Sequence, residues 1–143
     1  MDVTPARLHH LAITVSDVEV SVPFYEAVFG VTFRVDVPHP GGVGKLLADD
    51  DHELTIVVHH HDANDGAPFA ETVNGLDHAG FFLPARADLE AWQDHLERCG
   101  VVRAEVAAKP LTQSPIVDEA YGSVLVFRDP DNIQLELFCP PGA

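Results

Sequence analysis

Two histidines and one glutamate carry the clearest chemistry in the chain. His10 opens the run Leu11-Ala12-Ile13-Thr14-Val15, His78 opens Ala79-Gly80-Phe81-Phe82-Leu83, and Glu136 sits inside Ile133-Gln134-Leu135-Glu136-Leu137-Phe138. Alternate residues of a strand share a face, so Glu136 falls opposite the aliphatic row of Ile133, Leu135 and Leu137. A carboxylate in the middle of such a strand is costly to bury unless something positive pairs with it. Two imidazoles and one carboxylate on a divalent ion meet that need and leave positions open for water or substrate. Taken singly, each of the three also reads as an ordinary solvated residue. An internal repeat is what relates the two histidines.

Residues 7 to 36 have a counterpart in residues 75 to 105. In each, a short apolar run is followed by a helical stretch, a glycine and a second β-rich run. His10 pairs with His78 at an offset of 68, and Gly30 with Gly100 at an offset of 70. A period this long is a duplicated half-domain rather than a solenoid repeat. Two such modules paired about a pseudo-twofold axis bring equivalent histidines toward each other, which is how a metal site would arise.

The elements that must position these side chains follow from the pattern. Leu8 to Val15 and Ala79 to Leu83 read as the opening strands, each ending in turn-forming residues. In the first helix Val18, Val22, Tyr25 and Phe29 repeat on one face, Ser16 and Glu19 have capping-box spacing, and Gly30 stands where a C-terminal cap belongs. Pro23 inside it predicts a kink or a late start. In the second helix Leu89, Trp92, Leu96 and Cys99 form the stripe that Gly100 ends; both stripes are core. The remaining strands are expected at Val31 to Asp36, Lys45 to Ala48 and Leu54 to His59, then at Val101 to Val106, Val124 to Phe127 and Ile133 to Phe138. Asp129-Pro130-Asp131-Asn132 reads as a hairpin turn, with proline presetting φ. The irregular stretches His39 to Gly44, Asp62 to Asn74 and Lys109 to Gly122 are the expected rims of a site.

Bulk composition narrows the partners. A chain of 143 residues, 46% hydrophobic, has the size of one compact domain with a core, expected to span 1-143 with module one at about 7-62 and module two at about 75-140. Eight basic residues against 23 acidic ones give a formal charge of -15, a field that repels phosphate backbones and anionic lipid. No nucleic acid and no membrane is expected as partner. A solubility role accounts for that charge, which also attracts cations. No segment has the 18 or so apolar residues of a bilayer span, and the start of the chain does not read as an export signal. Cys99 and Cys139, far apart, read as free thiols in a reducing compartment, so the protein is expected to be cytoplasmic.

Taken together, His-Leu-Ala-Ile-Thr-Val-Ser-Asp at residue 10, Phe-Tyr-Glu-Ala-Val-Phe-Gly ending the first helix, Leu-Asp-His-Ala-Gly opening the second module and Phe-Arg-Asp-Pro-Asp-Asn-Ile-Gln-Leu-Glu-Leu-Phe near the end resemble the vicinal oxygen chelate superfamily. That superfamily includes glyoxalase I, extradiol dioxygenases, fosfomycin-modifying enzymes and bleomycin-binding resistance proteins. The likeness covers nearly the whole chain. It implies an α+β fold of two paired βαβββ modules forming a curved mixed sheet around a cleft. It also implies that His10, His78 and Glu136 are metal ligands, His10 rather than His9 because the family's ligand directly precedes the aliphatic run.

The chain departs from that pattern in module one. Glyoxalase I and related epimerases place a fourth ligand, Glu or Gln, on the last strand of that module, and the corresponding residue here is Val57. Glu53 shares its face but lies four residues back, about 13 Å along a strand. Three ligands with an open face resemble the dioxygenases or the fosfomycin-type transferases. Of His59, His60 and His61, otherwise a solvated polar tract, strand parity turns His59 toward the site as an acid/base or substitute ligand. The tyrosine that extradiol dioxygenases carry on the penultimate strand corresponds to Val126, while Tyr121 lies nearby on the expected rim.

The expectation is thus a metal-dependent enzyme of the dioxygenase or lyase/transferase kind acting on a small oxygen-chelating substrate, most simply by an oxygenase-type reaction. One divalent metal ion would be the cofactor, with Fe(II) favoured and Mn(II), Zn(II) or Ni(II) as alternatives. His59 and Tyr121 are the candidate catalytic residues. The alternative is a bleomycin-resistance-like protein that sequesters an antibiotic without turnover. A homodimer is expected in either case.

Overall fold

The computed structural model describes residues 4–142. The chain divides into two compact units, one reaching Gly66 and the other starting at Ala67. The first has the βαβββ order expected from the repeat, the second has that order with two further short strands, and the fold is α+β with mixed sheets.

In the first unit, strand β1 (Leu11–Thr14) leads into helix α1 (Val18–Phe29), followed by β2 (Thr32–Asp36), β3 (Gly42–Ala48) and β4 (Thr55–His61). The sheet runs β1-β4-β3-β2, with β1 parallel to β4 and the other pairs antiparallel. The helix is capped by Asp17, whose carboxylate accepts the Glu19 N–H at 2.8 Å, and not by Ser16. A carboxylate at a helix start also meets the positive end of the helix dipole. Pro23 lies inside the helix without delaying its start. Gly30 ends it in the left-handed conformation at φ 69°, where a side chain would be strained. Ile13, Val15, Tyr25, Val28, Leu47, Ile56 and Val58 are essentially sealed from solvent and form the core of this unit.

The second unit repeats that scheme as β5 (Ala79–Phe82), α2 (Arg86–Arg98), β6 (Val102–Arg103), β7 (Thr112–Gln113), β8 (Val117–Glu119), β9 (Gly122–Arg128) and β10 (Gln134–Cys139). Its sheet runs β5-β10-β9-β7-β6, with β8 paired to β9, and β5 is parallel to β10 as β1 is to β4. Among the described residues β7 and β8 are the strands without a counterpart in the first unit. Both lie in the stretch expected to be irregular, and β6 is shorter than expected. Gln113 explains part of this: fully buried, its amide donates to the carbonyls of Gln93 at 3.0 Å and Val101 at 2.8 Å. A polar residue thereby occupies an interior sheet position that hydrophobic periodicity does not reveal.

The β9–β10 turn forms as expected. Asp129 is buried and its carboxylate accepts the N–H groups of Asp131 and Ile133, while Asn132 takes φ 69°. Segment 67–76 groups with the second unit because it is tied to this turn. Phe69 N–H donates to the Asp131 carbonyl, Asn132 donates to the Phe69 carbonyl, and the buried Arg128 guanidinium meets both oxygens of Glu71 at 2.9 and 3.1 Å. Among the described residues no helix is long and apolar enough to cross a membrane.

Candidate functional site

Glu136 lies on β10 among residues that alternate between part-exposed and buried, with Leu135, Leu137 and Cys139 on the buried face. It therefore stands on the opposite face, as strand parity predicts. Its register partner on β5 is Gly80, two residues after His78. Gly80 has no side chain to fill the space beside the carboxylate, and His78 Nε2 comes within 4.0 Å of Glu136 Oε1. That separation is longer than a hydrogen bond. Two donors each some 2.1 Å from a shared ion at the tetrahedral angle stand about 3.4 Å apart, so this pair would draw about half an ångström closer around an ion. The other ring nitrogen of His78, Nδ1, lies 2.7 Å from Asp77 Oδ1.

His10 precedes β1 as His78 precedes β5, and its Nδ1 lies 3.0 Å from that of His9, the two rings meeting edge-on. The residue of β4 that matches Glu136 is Val57, register partner of Ala12, two residues after His10. It is buried and offers no donor. The departure expected in module one is therefore visible in the pairing itself.

His59 pairs with Thr14 of β1 and with Gly44 of β3. Its ring does not stand alone: His39 packs against His59 with ring centroids 5.1 Å apart and against His61 at 4.7 Å. Gly42 and Gly44 make this possible. A Cβ on Gly44 would fall 2.6 Å from the His59 ring, and one on Gly42 would fall 2.4 Å from the His39 ring and 2.2 Å from the His60 carbonyl. His39 Nε2 and His59 Nδ1 are buried without a hydrogen-bond partner. Burial holds the His59 ring below the usual imidazole pKa, with His39, His61 and His10 adding to the effect. Sequence parity singled out His59 but not His39, which reaches it only because the β2–β3 connection folds back on β3.

Tyr121 is 64% exposed in the turn between β8 and β9. The β9–β10 register puts it beyond Ser123 and Cys139, at the opposite end of β10 from His78, so the sheet does not bring it to the His78–Glu136 pair. Of the expected metal ligands, His78 and Glu136 are the two placed together. Among the described residues no group of three or more His, Cys, Asp or Glu side chains is arranged to hold a metal ion.

The first unit carries one open groove of about 350 Å³, lined by Glu19, Val22, Pro23, Glu26, Phe33 and Lys45. Glu26 Oε1 accepts the Phe33 N–H at 2.9 Å, and the Lys45 ammonium stands 5.3 Å over the Phe33 ring while pairing with Asp36.

Known structures match this fold along nearly their whole length. A glyoxylase/bleomycin resistance protein/dioxygenase domain from Frankia sp. EAN1pec is 25% identical with a TM-score of 0.82, the match covering 98% of this chain and 96% of that one. A glyoxalase family protein from Enterococcus faecalis is 20% identical, TM-score 0.71, over 92% and 96% of the two chains. The fosfomycin resistance protein FosX of Listeria monocytogenes, in a variant crystallised with Mn(II) and a dihydroxypropylphosphonic acid, is 16% identical, TM-score 0.64, over 94% and 93%. Residues 7–137 match the family described as the Glyoxalase/Bleomycin resistance protein/Dioxygenase superfamily. With the duplicated βαβββ units, that match over most of its length makes the chain a member of this superfamily.

Proposed function

We propose that the protein is a metal-dependent enzyme in which His10, His78 and Glu136 hold one divalent ion, with an oxygenase-type reaction on a small oxygen-chelating substrate as the leading chemistry. The observation that carries this reading is the 4.0 Å approach of His78 Nε2 to Glu136 Oε1 across β5 and β10. An imidazole and a carboxylate form a donor pair suited to Fe(II), Mn(II), Zn(II) or Ni(II), and Fe(II) is the first choice for two histidines and a carboxylate with open positions. The ion, when bound, supplies Lewis acidity toward neighbouring substrate oxygens.

The chain's own residues set the rest. Val57 leaves the place that matches Glu136 in the first unit without a carboxylate, so fewer protein donors compete with substrate. His59 is the general base: its buried Nδ1 has no hydrogen-bond partner, and burial lowers the pKa of the ring from the usual imidazole value. Four residues separate Thr55, the place level with His10, from His59, about 13 Å along the strand. That offset suits a group acting on the substrate better than one replacing a ligand. No role is assigned to Tyr121. A cytoplasmic homodimer belongs to the same reading, and an ultracentrifugation run showing monomer alone would remove the dimer.

One observation favours a second reading, in which the protein sequesters a drug without turnover. The groove beside α1 sets two carboxylates against the single Lys45 ammonium, which already stands over the Phe33 ring, so its apolar and net negative lining suits a cationic aromatic molecule. Metal analysis of the purified protein, followed by turnover assays with Fe(II), Mn(II), Zn(II) and Ni(II) on catechols, hemithioacetals and epoxides, separates the two. Stoichiometric metal lost in His78→Ala and turnover that needs it support the enzyme. Metal-free protein that binds aromatic cations and turns over none of these supports sequestration.

A further inference from the structure

Each expected metal-ligating histidine has its Nδ1 engaged by the residue immediately before it. Asp77 Oδ1 lies 2.7 Å from His78 Nδ1, and His9 Nδ1 lies 3.0 Å from His10 Nδ1. The two contacts occupy equivalent places, one step before β1 and one step before β5. They differ in chemistry.

An ionised carboxylate can only accept a hydrogen bond. The nitrogen facing Asp77 must therefore carry the proton, and in the neutral ring the lone pair is left on Nε2, the atom that faces Glu136 at 4.0 Å. An imidazole can either donate or accept, so His9 leaves the tautomer of His10 undecided. We propose that Asp77 is a positioning residue for His78: it selects the Nδ1–H tautomer and the ring orientation that aim the Nε2 lone pair at the space beside Glu136. His9 is a weaker counterpart in the first unit. This rests on the metal reading above for the identity of what Nε2 receives, but not for the tautomer.

Asp77 and His78 are 68% and 39% exposed as side chains. An ion pair this open adds little to stability. Its effect lies in orientation, so removing it leaves the fold intact. Outer groups that hold a ligating histidine in place are worth about 10- to 100-fold in metal affinity.

The test uses the full chain and reads two quantities. Long-range ¹H–¹⁵N NMR of metal-free protein, at a pH where imidazoles are neutral, reports the His78 tautomer. Calorimetric titration with Mn(II) and with Zn(II) alone reports affinity. Wild type is expected to show His78 as the Nδ1–H form. Asp77→Ala should revert toward the Nε2–H form that free imidazole side chains prefer and bind both ions about 10- to 100-fold more weakly. Asp77→Glu should recover part of both effects, and His9→Ala should lose less affinity than Asp77→Ala. An Asp77→Ala protein that keeps the Nδ1–H form, or keeps wild-type affinity with a changed tautomer, overturns the proposal. Wild type that takes up neither ion removes the metal reading instead, and the tautomer measurement still decides whether Asp77 sets the ring.

Discussion

His78 and Glu136 face each other across the parallel pair β5 and β10, Nε2 to Oε1 at 4.0 Å, while the matching pair in the first unit is His10 and Val57. The duplicated scaffold thus presents a donor pair in one half and a single donor in the other. If this asymmetry defines a three-ligand site, His78→Ala and Glu136→Ala should each lower metal affinity by at least about 100-fold, more than the loss of any outer group. Calorimetry with Zn(II) on folded variants checks this, with circular dichroism as the control for folding. Unchanged affinity in both would remove the site.

Val57 offers the converse experiment. Val57→Glu puts a carboxylate where only 5% of the residue is exposed, and an uncompensated buried charge costs about 3–5 kcal/mol. Should that position face a bound ion, saturating Zn(II) ought to recover much of the loss, giving a larger rise in Tm than wild type shows. Equal metal-induced shifts would mean that the new carboxylate does not reach the ion.

The glycines beneath the histidine rings should differ in their tolerance. An alanine at Gly44 would strike chiefly the His59 ring, which can move, whereas one at Gly42 would strike the His60 backbone carbonyl at 2.2 Å. Overpacking of this kind costs about 1–3 kcal/mol. Gly42→Ala is expected at or above the top of that range and Gly44→Ala nearer the bottom, measured by urea unfolding. The opposite ranking would show that the rings, not the backbone, are the rigid part.

Glu71 should make the protein sensitive to acid. The Arg128 guanidinium holds its carboxyl down to about 2 from an ordinary value of 4.5. A depressed carboxylate contributes stability that is complete above the unfolded-state value and is lost as pH falls toward the folded one. Wild type should therefore lose stability between about pH 4.5 and 2, and Glu71→Gln, which cannot titrate, should lose less over that window. Urea midpoints across the range test it, and parallel curves would show that the ion pair contributes nothing.

Much of this architecture was legible in the chain. The repeat relating His10 to His78, the apolar stripes of both helices, Gly30 as a cap and the Asp129–Asn132 turn are local patterns, set by side-chain period and by which residues tolerate which φ. Even the lack of a donor at Val57 was readable, because alignment of the two halves fixes register. The details that slipped were competitive ones. Asp17 rather than Ser16 caps α1: capping-box spacing to Glu19 favours Ser16, yet the Asp17 carboxylate can also accept a first-turn N–H and takes that of Glu19. Strands β7 and β8 are too short and too polar to announce themselves.

What only the tertiary structure decided are the contacts whose partners share no periodic relation. His39 reaches His59 and His61 because a connection folds back over two glycines, and Arg128 finds Glu71 57 residues away. Tyr121 sits near the proposed site in sequence terms yet ends at the far end of β10, because antiparallel pairing carries a residue away from its partner strand's start as fast as it advances along its own. Sequence determines which residues share a face; strand pairing and loop return determine which of them meet.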